Sequence, residues 1–337
     1  PYTTLFRSRR LGRLSSAGEH QPQCCRPKGK LNIFHRVLVP ADDPTTAESF
    51  CSCETFRRPV LLSSGRRTVG YSVASVMTPP ENRKRGYAQR MMELLAAGVR
   101  DQSGAGADWV DDAGPWMGGS DALVSVLYSD VGSFYKRCGW EITGPTQTTW
   151  TLDALPTSAF PSPPSCTTLV PIPFDLSTFT TLAEADSALL AASLEPGAFA
   201  MEPTGPTYHW HITKSVFIAT VRKLPIPSTW GFSSSTSGAC VLFTFDFPKG
   251  AVKILRLRTT GNAAETRDLL RGVFAEAKRA GCGKVRGWNV EREVLDALED
   301  GERGETCERE DSLSALNWFG RPAEGAQWVA NEGYAWC

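Results

Sequence analysis

A basic turn between a strand and a helix is the stretch of this sequence best suited to chemistry. Residues 72–77 predict a β-strand, and Thr78-Pro79-Pro80 ends it because proline cannot continue a hydrogen-bonded ladder. Three consecutive basic residues and Gly86 follow, and apolar residues then recur at helical spacing up to Val99. A glycine turn that opens a helix presents free backbone N–H groups and the positive end of the helix dipole. We therefore predict an anion-binding site, although a solvated basic helix start with a tolerated glycine fits this turn equally well.

Two motifs resemble those of the GNAT superfamily of N-acetyltransferases. Arg83-x-x-Gly86-x-Ala88 resembles the Q/R-x-x-G-x-G/A turn that holds the pyrophosphate of acetyl-coenzyme A in that family. The stretch from Phe134 to Trp140 resembles the F-Y-x-x-x-G-W/F pattern of the helix that follows the family's buried strand. Because the motifs occur in the family's order, the resemblance implies an α/β (α+β) fold of the GNAT type with a central mixed sheet.

The resemblance also implies the reaction, which is direct acyl transfer from a thioester to an amine. In the family a backbone N–H on the strand before the turn holds the thioester oxygen as it becomes anionic. Tyr135 corresponds to the acid that protonates the departing thiolate, although a core tyrosine is the alternative. Acetyl-CoA is the implied cosubstrate and no metal is implied. The residues implied to contact acetyl-CoA are Val76, Met77, Thr78, Arg83, Lys84, Arg85, Gly86, Tyr87 and Ala88.

The acceptor amine needs a base, because a lysine side chain has an ordinary pKa of about 10.4 and must lose a proton before it attacks. Glu54 is the candidate base because its predicted strand flanks the strand that enters the turn, although a solvated strand glutamate is as good an interpretation. Tyr128 and Asp130 follow a predicted buried strand and are candidate substrate contacts. Weaker candidates, each also a common structural residue, are His209, His211, Glu310, Asp311, Trp318 and Trp328.

Four further segments resemble a fungal subfamily of acetyltransferases that act on the side-chain amine of free L-lysine in lysine catabolism. They are residues 51–55, 127–132, 308–313 and 328–337. The leading hypothesis is therefore an N-acetyltransferase for lysine or a similar small amine. Two alternatives stay open: an acetyltransferase for protein lysines or N-termini, and a non-catalytic acetyl-CoA-binding interaction protein. A thiol-release assay with a panel of amines separates the three.

The predicted elements divide the chain into two α/β domains. Residues 31–152 carry the motifs, residues 153–176 are rich in Pro, Ser and Thr and predict an extended linker, and residues 177–337 predict a C-terminal domain. Asp175 is a candidate cap for a helix over residues 178–194, residues 239–245 and 252–257 predict paired strands, and residues 148–152 predict an edge strand. Paired strands, a helix and a further strand occur in the same order in both domains, so the second is a candidate degenerate copy of the first. Residues 258–262, at the corresponding turn of that copy, lack the signature.

Residues 1–30 show no periodicity, and we expect them to be disordered. The first eight residues do not begin with Met and resemble a translated sequencing adapter, so we interpret this head as an artefact. An Arg/Ser-rich transit peptide is the alternative. The GNAT family's usual first strand and first helices are not recognisable before residue 31.

The composition is that of an ordinary globular protein, with 41% hydrophobic and 21% charged residues and a formal net charge of zero. Balanced charge argues against a general nucleic-acid-binding protein, which needs a basic face. No apolar stretch approaches the roughly 18–20 residues of a membrane span. The ten cysteines have neither C-x-x-C nor zinc-finger spacing, so we expect free thiols and a cytoplasmic location. The sequence does not indicate an oligomeric state.

Overall fold

The computed structural model describes residues 4–10, 33–46, 48–63, 65–110, 120–160, 169–321 and 327–337. The helices are α1 (Tyr87–Val99), α2 (Leu176–Ser193), α3 (Gly205–Val221), α4 (Ala263–Arg279) and α5 (Arg292–Asp296). The strands are β1 (Thr4–Arg10), β2 (Ile33–Pro40), β3 (Cys51–Leu62), β4 (Arg67–Met77), β5 (Val124–Ser129), β6 (Glu141–Ile142), β7 (Thr146–Thr151), β8 (Leu169–Pro171), β9 (Ala198–Met201), β10 (Gly231–Ser234), β11 (Cys240–Asp246), β12 (Ala251–Arg258), β13 (Lys284–Trp288), β14 (Glu305–Glu308), β15 (Leu313–Trp318) and β16 (Gln327–Trp328). Within these ranges, none of the helices combines the length and the hydropathy of a membrane span.

The first sheet has the strand order β1-β2-β3-β4-β5-β15-β6. Strands β1 to β4 are antiparallel neighbours, whereas β4 and β5 are parallel and are joined through α1, since parallel neighbours need a crossover connection. Met91, Met92, Leu95 and Val99 form the buried stripe of α1, and they share a core with β2 to β5. The helix after the basic turn is thereby packed against the strands that surround the turn.

The second sheet has the order β14-β7-β13-β12-β11-β10-β8. Antiparallel β10, β11 and β12 lead into α4, which crosses to β13, parallel to β12. The same succession of antiparallel strands, helix and parallel strand occurs from β2 to β5. The mixed α/β fold is therefore confirmed, and the chain repeats one topology twice.

Each half contributes a strand to the sheet of the other half. In each sheet the exchanged strand pairs with the second strand of the parallel pair, on the edge away from its parallel neighbour. β15, from the C-terminal half, pairs with β5 in the first sheet, and β7, from the N-terminal half, pairs with β13 in the second. The sheets therefore do not follow the predicted boundary near residues 152–177. The exchange covers the edge of β5, whose residues are almost all buried and would otherwise expose an apolar edge strand.

Several predicted elements agree with the structure, and one of them is the capped helix α2. Its N-cap Asp175 accepts a hydrogen bond from the backbone N–H of Thr178 at 2.8 Å, as the sequence predicts for a capping aspartate. The predicted paired strands of the second half are β11 and β12. Predictions based on local capping or a long apolar period were the ones that matched.

Predictions for the polar segments were less successful. Residues 4–10, expected to be disordered, form β1 through antiparallel pairing with β2, and the rest of the 1–30 head lies outside the described residues. Residues 169–171, expected in the linker, form β8 and pair with β10. Of residues 148–152, expected as an edge strand, all but Leu152 belong to β7, which lies between β13 and β14. In each case backbone pairing with a distant strand decided the conformation.

A buried ion network holds α2 against the second sheet. Asp186 on α2 accepts hydrogen bonds from Nε and Nη2 of Arg256 at 2.8 and 3.0 Å, and both side chains are buried. Arg256 also pairs with Glu332, which accepts the backbone N–H of Leu257 at 2.8 Å. These contacts join a helix, β12 and the C-terminal segment in one buried unit.

Asp186→Ala is expected to lower the free energy of unfolding by about 3–5 kcal/mol, because it leaves a buried guanidinium short of a carboxylate. Urea unfolding monitored by tryptophan fluorescence measures the change. Asp296→Ala is the control: Asp296 pairs with Arg292 at 3.4 Å on the surface, and its loss should cost less than about 1 kcal/mol. Equal losses in the two variants would contradict a special role for the buried network.

Candidate active site

The parallel pairing of β4 with β5 stops before either strand ends. Paired residues run from Gly70 opposite Val124 to Val73 opposite Leu127, whereas β4 continues to Met77 and β5 to Ser129. On its other side β5 is paired along its full length with β15. The two strands therefore separate after Val73 and leave an opening at their carboxyl ends, where open α/β sheets commonly bind ligands.

A β-bulge lies in β4 beside this opening. Ser52 pairs with Met77 but Glu54 pairs with Ala74, so two residues of β4 face one residue of β3. One of the two is Ser75, with a φ of 55°. A bulge interrupts the ladder and redirects the backbone, which frees backbone polar groups next to residues 76–78, the predicted oxyanion-binding segment. The bulge could not be predicted from the sequence, because serine rarely adopts a positive φ and so gives no signal for one.

The basic turn is open to solvent. Gly86 is the N-cap residue of α1 with a φ of +80°, a left-handed conformation that glycine adopts without strain. Among the described residues, no heavy atom lies within 4 Å of the position that a Cβ at Gly86 would take, and no side chain caps α1. Arg83, Lys84 and Arg85 are exposed around it, and α1 begins at Tyr87. The turn has the free amides, space and positive charge that an anionic ligand needs.

The corresponding turn of the second half has as much space around Gly261 as the first has around Gly86, but the chain's own side chains cap its helix. Asn262 caps α4 by accepting from the backbone N–H of Glu265 at 3.2 Å. The Glu265 carboxylate in turn accepts hydrogen bonds from Ser237 at 2.6 Å and Thr260 at 2.9 Å. A carboxylate in the first helical turn competes for the same positive end of the dipole that a phosphate would use. The first of these two turns is therefore the one without a side-chain cap.

Tyr135 lies on a 3-10 helix, Gly132–Cys138, that packs against α1. The sequence predicted a short helix there. Gly139 ends it with a φ of 102°, and a Cβ at that position would lie 2.7 Å from Nδ2 of Asn317 on β15. Trp140 is fully buried, and its backbone N–H donates to the Tyr135 carbonyl at 3.1 Å. The glycine and tryptophan of the motif thus fix the position of the tyrosine.

The Tyr135 phenol is half-buried in the core of the first half. Burial, helped by the nearby thiols of Cys53, Cys51 and Cys138 and the carboxylate of Asp130, raises its pKa to about 12. The group therefore keeps its proton at neutral pH. This protonation state suits a group that donates a proton and excludes a group that accepts one.

Glu54 lies directly beside the bulge. Its carboxylate accepts a hydrogen bond from the Ser75 hydroxyl at 2.8 Å, and Nε2 of His35 lies 3.6 Å from its other oxygen. The Glu54 side chain is 30% exposed, so a solvent-borne amine can approach it. His35 was not among the predicted site residues, and the only signal available was its place on β2, opposite Glu54 once the strands are paired.

Tyr128 and Asp130 lie at the end of β5, between the two halves. The Tyr128 ring packs on Trp288 and Trp328, at centroid distances of 5.7 and 6.2 Å, and burial raises the pKa of its hydroxyl well above its ordinary value. That hydroxyl is buried with no hydrogen-bond partner among the described residues. Asp130 accepts from the backbone N–H of Ser312 at 2.8 Å and lines a cavity described below.

The weaker candidates divide between this cavity and the core. His211 is buried with Nε2 3.1 Å from the Tyr334 carbonyl, and burial lowers its pKa to about 3, so it is a neutral core histidine at the cavity wall. Asp311 also lines the cavity and pairs with Lys249 at 2.9 Å. The remaining four have other settings: His209 stacks on Phe174, Trp318 and Trp328 stack on Phe199, and Glu310 is exposed.

The structure explains the 308–313 motif through a residue that the sequence analysis did not single out. Arg309 is buried and donates to the carbonyls of Thr146 and Gly144 at 2.9 and 3.1 Å and to the Ser314 hydroxyl at 3.0 Å. Its guanidinium lies 4.3 Å from the ring centroid of Trp288. This arginine ties the exchanged strand β15 to β7. Across the described ranges, no three His, Cys, Asp or Glu side chains are placed to hold a metal ion.

Comparisons with known proteins agree with this architecture. A family model described as the LYC1 GNAT-like C-terminal domain matches residues 167–337. A protein named lysine acetyltransferase, from Yarrowia lipolytica (strain CLIB 122 / E 150), is 25% identical in an alignment that covers 83% of this chain and 77% of that protein.

Two solved structures of low sequence identity also align with the chain. A protein from Enterococcus faecalis V583, described as a probable N-acyltransferase, aligns with a TM-score of 0.50 at 12% identity over 86% of this chain and 62% of its own. A GCN5-related N-acetyltransferase from Kribbella flavida aligns with a TM-score of 0.49 at 15% identity, over 86% of this chain and 61% of its own. The chain thus spans about three fifths of the length of these two structures.

Gly86→Glu is expected to raise the dissociation constant for coenzyme A at least about 100-fold, since a carboxylate would fill the open turn and repel a diphosphate. Isothermal titration calorimetry with coenzyme A measures the change. Gly65→Glu is the matched control, because Gly65 has a φ of +71° and equally open surroundings in the β3–β4 turn, at the other end of those strands. An unchanged affinity in the Gly86 variant would show that the turn does not hold the diphosphate.

Proposed function

Because the chain belongs to the LYC1 GNAT-like C-terminal domain family, we propose that it is an N-acetyltransferase that moves an acetyl group from acetyl-CoA to the side-chain amine of free L-lysine or a similar small amine. The observation that carries the proposal is the opening between β4 and β5. The uncapped Gly86 turn adjoins it on the β4 side, and Tyr135 is held on the helix that follows β5. A role in lysine catabolism follows if L-lysine is the acceptor.

The basic turn fits the diphosphate of coenzyme A. In the proposed complex the backbone N–H groups at the start of α1, at Tyr87 and Ala88, donate to the phosphate oxygens, and Arg83, Lys84 and Arg85 supply positive charge. Acetyl-CoA, when bound, supplies an activated thioester. The backbone at Val76, Met77 and Thr78, just after the bulge, then holds the carbonyl oxygen as it gains negative charge.

Two side chains manage the protons in this proposal. Glu54, beside the bulge and partly exposed, accepts the proton that the acceptor ammonium must lose before its nitrogen attacks. Tyr135, whose pKa is raised by burial, donates its proton to the sulfur as the carbon–sulfur bond breaks. A carbon–nitrogen bond forms in its place, and the proton that the new amide nitrogen loses returns to the Tyr135 phenolate, so the step balances without a redox change.

The proposal is tested by measuring thiol release from acetyl-CoA with free L-lysine, a lysine-containing peptide, a peptide N-terminus and a diamine. Turnover with L-lysine at a kcat/KM at least tenfold above that of either peptide is the expected result. Turnover with peptides but not with free L-lysine would indicate that the acceptor is a protein. Binding of coenzyme A without turnover on any amine would indicate a non-catalytic acetyl-CoA-binding protein.

Tyr135→Phe is expected to lower kcat about 100-fold or more and to leave the dissociation constant for coenzyme A nearly unchanged, because the variant keeps the ring and loses the proton donor. Since the pKa of Tyr135 is raised to about 12, ionisation of the phenol should not reduce the wild-type rate below about pH 10. Tyr208→Phe, in the second half, is the control and should keep its turnover. Full activity in the Tyr135 variant would exclude its role as the acid.

A further inference from the structure

A cavity of about 360 Å³ lies between the two halves of the chain, next to the candidate active site. Its walls come from α3, β11, β12 and β13 of the second half and from Asp130, just after β5 of the first. No role follows for it from the acetyl-CoA turn or from the bulge. The side chains that characterise it are Lys214, Asp246, Lys253, Arg286, Trp288 and Trp336.

Four cations and three carboxylates line the cavity, and three of the cations form no salt bridge with a described residue. Lys253 and Lys214 form no salt bridge with a described residue, whereas the neighbouring Lys249 pairs with Asp311 at 2.9 Å. Nε of Arg286 is buried and has no hydrogen-bond partner in the described part of the chain. Burial, with the nearby cations Arg309 and Lys214, lowers the pKa of Lys253 well below its ordinary value. An anionic ligand would offset this crowding of cations.

Aromatic rings shape the cavity around these cations. Nζ of Lys253 lies 3.4 Å from the ring centroid of Trp288 and 5.1 Å from that of Trp336. Nζ of Lys214 lies 4.3 Å from the Trp336 ring on the other side. The indole faces hold the two ammonium groups in place, so their remaining N–H bonds are available to a ligand.

Three carboxylates line the cavity, and two of them already have partners: Asp130 accepts from the backbone N–H of Ser312 and Asp311 pairs with Lys249. Asp246, at the end of β11, lines the same cavity and forms no salt bridge among the described residues. Its charge acts on both Lys214 and Lys253. A cavity with unpaired cations, one unpaired carboxylate and indole walls is complementary to a small zwitterion with an apolar chain. The head group of an α-amino acid has this charge pattern.

The cavity adjoins the place where the two parallel strands separate. Trp336 forms one wall, and Sγ of the next residue, Cys337, lies 3.9 Å from the carbonyl of Val73, the last β4 residue paired with β5. At the other side, Asp130 lines the cavity and acts electrostatically on Tyr135. A ligand held in the cavity is therefore close to the proposed acetyl-transfer site.

We propose that this cavity binds the head group of an amino-acid acceptor, with Lys253 and Arg286 at the α-carboxylate and Asp246 at the α-ammonium. The four-carbon side chain of lysine is long and flexible enough to carry its terminal amine towards the opening beside Glu54. The inference rests on the proposed acetyl transfer and narrows its acceptor class, because amines without a carboxylate would lose these contacts.

The test compares L-lysine with L-lysine amide, which has the same side-chain amine and an uncharged amide in place of the carboxylate. The wild-type chain is expected to favour L-lysine by at least about tenfold in kcat/KM, the size of a charge-assisted hydrogen bond. Lys253→Met should raise KM for L-lysine about tenfold and change kcat little. For L-lysine amide, kcat/KM should stay within about twofold of the wild-type value. Lys278→Met is the matched control, because Nζ of Lys278 lies 4.2 Å from the Phe160 ring and outside the cavity.

Two results would overturn the inference: equal use of L-lysine and its amide by the wild-type chain, or an equal loss for both acceptors in the Lys253 variant. Calorimetric titration with L-lysine in the presence of coenzyme A separates this inference from the function. If no amine is acetylated but L-lysine binds and Lys253→Met abolishes binding, the proposed function is wrong and the cavity assignment holds. If L-lysine does not bind, the cavity assignment is wrong.

Discussion

The separation of β4 from β5 after Val73 is the constraint on which the rest of the site depends. A strand can form ladders on both edges, and β5 uses its second edge for β15 along its full length. β4 bends away at the Ser75 bulge instead of following β5, and its carboxyl end reaches the basic turn separately. One missing stretch of pairing thus creates the space between the proposed cofactor turn, the base and the acid.

The two halves show how one topology can leave a helix start uncapped in one copy and capped in the other. Both copies place a helix N-terminus after a strand that has a parallel neighbour. In the first, the N-cap is a solvent-facing glycine. In the second, Asn262 and Glu265 satisfy the helix end with the chain's own oxygens. The second copy contributes β15, Arg309 and most of the walls of the cavity between the halves. In the proposed function it completes the site, and the first copy binds the cofactor.

The sequence predictions were correct for features that depend on neighbouring residues and wrong for features that depend on residues far along the chain. The capped helix α2, the strand–turn–helix around Gly86 and the short helix bearing Tyr135 depend on neighbours within a few residues, and the structure has all three. The strand character of residues 4–10 and the interior place of β7 depend on partners far along the chain, and both predictions were wrong. His35 beside Glu54 becomes visible only when β2 and β3 are paired.

By itself the sequence determined the α/β class, the repeated order of elements and the position of the basic glycine turn, because caps, turn residues and hydrophobic period act locally. Only the tertiary structure decided which strands cross between the halves, where β4 and β5 part, and which charges share a cavity. Register and strand exchange are set by backbone pairing and burial between segments that are far apart in the sequence, for which a single sequence carries no local signal.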